Sequence, residues 1–225
     1  MVILLKAVLL GLPGIVAFAL TVAPPAGVPA ALLLVNPLVL LLLGALAGGW
    51  AARKVDLQSA IILSSCVSMR MVLSFAGVGL IAGLGIALLD TWSAALWNPG
   101  PLRTLRESSA LQSLAVNLLY GGITEEIIFR WGLLSLLAAG ASRLFSRRVA
   151  VSIGAVLAAL IFALAHLPIV VQEAGLLTVG LAVRTILWNG LLGLLFGAAF
   201  VRGGLESAIG AHVSFHFGVV LAARF

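Results

Sequence analysis

Charge is what this chain has least of. Of its 225 residues, Lys and Arg supply 13 and Asp and Glu only 7, together 9%. Against 63% hydrophobic residues and a mean hydropathy of +1.25, that scarcity excludes an ordinary soluble domain, in which roughly a quarter of residues are charged. Cysteine is scarcer still: Cys66 stands alone, so an intrachain disulfide is excluded and the redox compartment is left open. Long linkers, low-complexity tails and fixed-period repeats are also missing, which excludes a tethered soluble module or a solenoid. A net charge of +6 does not signal nucleic acid either. The basic residues sit in short groups at the ends of apolar runs, the topology pattern of a membrane protein.

What is abundant is uninterrupted apolar sequence. Runs at about 3–23, 30–51, 71–90, 109–139, 149–167, 185–201 and 205–223 are parted by Pro, Gly or charged breaks. Each matches the ~20 residues that a bilayer core demands. The expected fold is all-α, a polytopic transmembrane bundle of about seven helices in one membrane domain. The run from Ile3 to Val22, led by Lys6, has features of a signal peptide, but it leads on into further spans and reads as a retained first helix. The mixed stretch from Asp56 to Met69 reads as an interfacial helix or an extension of the third span. Val170 to Arg184 reads as an outer loop, a short re-entrant piece or the tilted start of the sixth helix.

Arg53, Lys54 and Arg70 fall on one side of the membrane, and Arg143, Arg147, Arg148 and Arg202 return to it after an even number of crossings. That side, with the N-terminus, is expected to be cytoplasmic. The opposite connection from Thr91 to Ser108, with Trp92, Trp97, Asn98, Pro99, Gly100, Arg103, Arg106 and Glu107, reads as an interfacial loop with aromatic anchors. Few lysines beside abundant Ala, Gly, Leu and Arg suit a GC-rich prokaryotic source and its cytoplasmic membrane. Small residues four apart at Gly44/Gly48, Gly79/Gly83 and Gly193/Gly197 predict close helix packing.

Ionisable groups inside a membrane are costly and mark function by default. On the fourth run, Asn117, Tyr120, Thr124 and Glu125 share one α-helical face. Glu126 lies about 100° further round and reaches Arg130 at i+4. The pair is expected to brace the helix, leaving Glu125 as the free carboxylate and candidate general base. Every histidine follows in a later run: His166, four after Phe162, and His212 and His216, four apart. Glu125 and His166 each lie about 18 residues from their basic flanks, or roughly 27 Å along a helix. His212 and His216 lie about 10 and 14 residues from Arg202, with Asn189 between them in depth. Taken singly, each His serves equally well as an interhelical hydrogen-bond partner, and Glu126 and Arg130 as a brace. Together they predict one polar pocket.

At these residues the chain resembles the CPBP family, the CAAX-protease and bacteriocin-processing intramembrane proteases that include the Ras-converting CAAX endopeptidases. Its EExxxR motif is met by Glu125 through Arg130 and its FxxxH motif by Phe162 through His166. A Gly-rich helix resembles Leu191 to Arg202, and the closing His motif falls on His212. The resemblance covers about 109–220, so the chain divides into N-terminal helices, 1–108, and a catalytic core, 109–225. It implies an intramembrane endopeptidase acting on a membrane-associated peptide or protein substrate, with Glu125, Glu126, Arg130, His166, His212 and His216 as site residues. Two departures stand out. Trp131 replaces the Gly usual after the motif Arg, and His216 replaces an Asn that helps form the oxyanion hole.

Both mechanisms linked to the family remain open here. One is metal-free activation of water by Glu125 and His166. The other is a zinc site built from His166, His212 and His216, since His212 and His216 have the helical spacing of a metal-binding pair. Outside proteolysis, the same Glu, His and Arg cluster suits a proton-coupled transporter or channel, and the Gly-lined faces suit a non-catalytic membrane scaffold. The expected partners are the lipid bilayer and a peptide, with no nucleic acid.

Overall fold

The computed structural model describes residues 1–22, 29–97, 104–105 and 114–224. Within a bilayer a chain must satisfy its own backbone polar groups, and the apolar runs do so as helices. We number them α1 (Val2–Thr21), α2 (Ala30–Ala51), α3 (Met69–Trp92), α4 (114–141), α5 (Arg147–Ala165), α6 (Leu167–Ala174), α7 (Val179–Gly203) and α8 (Leu205–Ala222). Among the described residues, six stretches are long and apolar enough to cross a membrane: α1, α2, α3, α5 with α6, α7 and α8. The continuous helix α4 lies among them and brings the bundle to the expected seven. There is no strand among the described residues.

Three boundaries differ from the sequence reading. Between α2 and α3 the chain forms a 3-10 turn, Ala52–Val55, and one helical turn, Ala60–Leu63, capped where the Ser59 hydroxyl accepts from the Ile62 N–H at 3.1 Å. It is neither an interfacial helix nor an extension of α3. Helix α7 starts at Val179, where the Thr178 side chain accepts from the Leu181 N–H at 3.1 Å. Arg184 therefore lies inside the helix, and what precedes it is the separate short helix α6. Of the expected outer loop, Asn98, Pro99, Gly100, Arg103, Arg106, Glu107 and Ser108 lie outside the described residues.

Lipid is as apolar as leucine, so the helices are held by close packing rather than by removal of apolar surface from water. Large side chains such as Leu43, Leu73 and Ile81 face outward, while the fully buried set is rich in alanine and includes Ile127, Trp131, Phe196 and Phe200. A side chain at Gly79 or Gly83 on α3 would strike the α8 backbone at Ala211 or Phe215. Gly44 of α2 meets Gly132 of α4 backbone to backbone, and Gly48 leaves the space that the Trp131 indole fills. That pairing accounts for the bulky residue after the motif Arg: α2 supplies the missing volume.

Candidate active site

Helix α4 is not wound as an ordinary α-helix where the acidic motif lies. Asn117–Thr124 and Glu126–Leu134 are π-helical, with α-geometry resuming at Ser135. The π-turn closes i→i+5 bonds and recurs at functional sites. Its wider winding brings residues four to five apart onto one face. Asn117, Gly121 and Glu125 accordingly line a common cavity with Tyr120. Thr124, expected beside them, turns to α1, where its hydroxyl donates to the Gly11 carbonyl at 2.7 Å.

The cavity measures about 740 Å³ and brings together α4, α5, α7 and α8. Glu125, His166, His212, His216 and Asn189 all stand on its wall. Glu126 and Arg130 do not. Glu126 is wholly buried behind the wall, with Oε1 3.1 Å from Arg130 Nη1 and 2.7 Å from His212 Nδ1. The Arg130 guanidinium is sandwiched by Phe162 and Phe196, 4.4 and 5.3 Å from the ring centroids, and Nη2 donates to the Gly193 carbonyl at 3.4 Å.

Each imidazole is set by a different contact. His166 caps α5, where Leu167 and Pro168 start the next helix, and its Nδ1 lies 2.7 Å from the Phe162 carbonyl. A carbonyl only accepts, so Nδ1 carries the hydrogen and Nε2 of the neutral ring presents a lone pair. His212 stacks on Phe196 at 4.2 Å and on His216 at 5.0 Å. His216 Nε2 is buried without a hydrogen-bond partner. A Cβ at Gly121 would lie 2.9 Å from that nitrogen and 3.8 Å from His212 Nε2, so only glycine leaves both tips room.

The zinc expectation for His166, His212 and His216 does not fit this placement. Among the described residues, no three His, Cys, Asp or Glu side chains are grouped as a metal site. Two of the Nδ1 atoms are engaged elsewhere, and the His212 and His216 rings lie nearly parallel, at 20°. Face-to-face rings point their in-plane lone pairs alongside one another, whereas a shared ion needs them to converge at about 2.0–2.1 Å.

Sequence reasoning missed the polar junction at the cavity's other end. Asp90, fully buried on α3, holds Arg184 through two 2.7 Å contacts to Nε and Nη2. It also accepts from Trp188 Nε1 at 2.9 Å and the Leu105 N–H at 3.0 Å. Leu105, Arg184 and Trp188 all line the cavity. The signal was present, since Asp90 is an acid inside an otherwise apolar run, but it was read as the end of a span.

A comparison with protein families matches residues 107–218 to the type II CAAX prenyl endopeptidase Rce1-like family. Through these residues the chain belongs to that family. At the family level this Rce1-like protein is an intramembrane endopeptidase, an integral membrane protease acting on peptide substrates. The matched segment spans α4 to most of α8 and so includes all four histidine- and glutamate-bearing stretches. No curated protein and no solved structure matched the chain.

Proposed function

We propose that this Rce1-like protein hydrolyses peptide bonds with a water activated by Glu125. The observation that carries the reading is the separation of the two carboxylates, with Glu125 on the cavity wall and Glu126 buried behind it against Arg130 and His212. Glu125 takes one proton from the water, and His166 Nε2 accepts a hydrogen bond from the other hydrogen and holds the oxygen in line. The oxygen adds to the substrate carbonyl carbon, and the carbonyl π electrons move onto its oxygen. Collapse breaks the C–N bond, and the proton held by Glu125 passes to the leaving amine.

Tautomers assign the remaining roles. With Glu126 accepting from Nδ1–H, neutral His212 offers only a lone pair at Nε2 and can donate there only as imidazolium. His216 Nε2, which has no other partner, is then the natural N–H donor to the oxyanion and takes the place of the family's Asn. Glu126 and Arg130 are positioning residues that orient His212 without touching substrate. The test is cleavage of candidate membrane peptides by the purified protein. Glu125→Gln and His166→Ala are each expected to lose activity, and full activity in both would overturn the assignment.

A further inference from the structure

The two ends of the bundle differ in charge and in openness, and the difference places the substrate. At one end Arg147 donates to the Val55 and Asp56 carbonyls at 2.8 and 2.9 Å. Arg147 and Arg202 line a small separate pocket there with Cys66, which is exposed. Arg53, Lys54, Arg70, Arg143 and Arg148 belong to the same end, at the starts or ends of α3, α4 and α5 or in the connection that follows α2. The opposite end carries in sequence only Arg103 and Arg106, between α3 and α4, and Arg224 after α8. Unpaired basic flanks stay on the cytoplasmic side of a membrane, which makes the arginine-rich end cytoplasmic.

The large cavity lies at the other end. Its wall is built from Val116 and Asn117 near the start of α4, Ile169 and Glu173 on α6, and Arg184 near the start of α7. His166 is about 28 Å along α5 from Arg147, and no residue of the arginine-rich end lines the cavity. Glu173, on the cavity wall, is exposed.

We infer that the catalytic cavity opens on the non-cytoplasmic face, so that its substrate is an apolar segment of an exported or membrane-anchored polypeptide presented from that face. A prenylated C-terminus made in the cytosol would meet the arginine-rich end instead. The inference rests on the endopeptidase reading for what happens in the cavity, but the side on which it opens is measured independently of cleavage.

Thiol labelling tests it in the full-length protein, in intact cells or right-side-out membrane vesicles. With an impermeant maleimide, native Cys66 is expected to stay unlabelled until the membrane is permeabilised. In a Cys66→Ser background, Glu173→Cys is expected to label fully beforehand. Leu176→Cys and Leu144→Cys, both exposed, serve as second reporters for the cavity end and the arginine-rich end. Labelling of Cys66 or Leu144→Cys before permeabilisation, with Glu173→Cys and Leu176→Cys protected, would overturn the inference, as would equal labelling of all four. None of these outcomes depends on proteolysis, whose own failure is read from Glu125→Gln.

Discussion

Replacing Glu126 by Gln should unfold the protein, whereas the same change at Glu125 should only silence it. Glu126 is wholly buried and Arg130 is 2% exposed, and the guanidinium lies between two phenylalanine rings with no solvent path. Removing the carboxylate leaves that cation without a counter-charge, and breaking a buried pair from one side costs about 3–5 kcal/mol. The Gly193 carbonyl, 3.4 Å from Nη2, is a weak replacement. For a chain of this size each kcal/mol moves Tm by roughly 2–4 °C, so Glu126→Gln is expected to lower Tm by roughly 6–20 °C. Glu125 is half-buried on the cavity wall, so Glu125→Gln should leave Tm within about 2 °C. Its effect should fall on kcat, by about 10²–10⁴-fold, the range typical of a positioned general base. Thermal unfolding of both variants in one detergent, beside cleavage kinetics on a membrane peptide, separates the two roles. Equal loss of Tm in the two, or a Glu125→Gln enzyme that still turns over normally, would refute the division of labour.

Further expectations follow from the same geometry. His216→Ala should lower kcat by about 10²–10³-fold, the cost of one oxyanion donor, while His216→Asn should recover most of the rate because its amide donates too. If alanine is as active as the native residue, the oxyanion role is wrong. Gly121→Ala places a Cβ 2.9 Å from His216 Nε2 and should reduce kcat about 10²-fold with little change in Tm, because a misplaced catalytic group costs about that much. Asp90→Leu should cost about 3–5 kcal/mol by stranding Arg184, and adding Arg184→Met should restore most of it. Unfolding curves of the single and double variants check this, and additive losses would count against the pair.

Apolar run length determined a good deal in advance. It set the helices and their count, because lipid leaves a twenty-residue apolar segment no other way to satisfy its backbone. The order of Glu125, Glu126, Arg130, Phe162, His166 and His212 was enough to suggest the family that residues 107–218 match. The pairing of Glu126 with Arg130 was also legible, because both lie on one helix. Tertiary structure decided what depends on contacts between helices. Thr124 left the polar face because π-winding changes which residues align, and no side-chain pattern encodes an i→i+5 ladder. Glu126 found His212, 86 residues away, and Asp90 found Arg184, 94 away. Hydropathy read Asp90 and Arg184 as the edges of spans, since it scores each charge alone. Buried against each other, the two charges are tolerated where either alone would not be, and that tolerance belongs to the packed bundle.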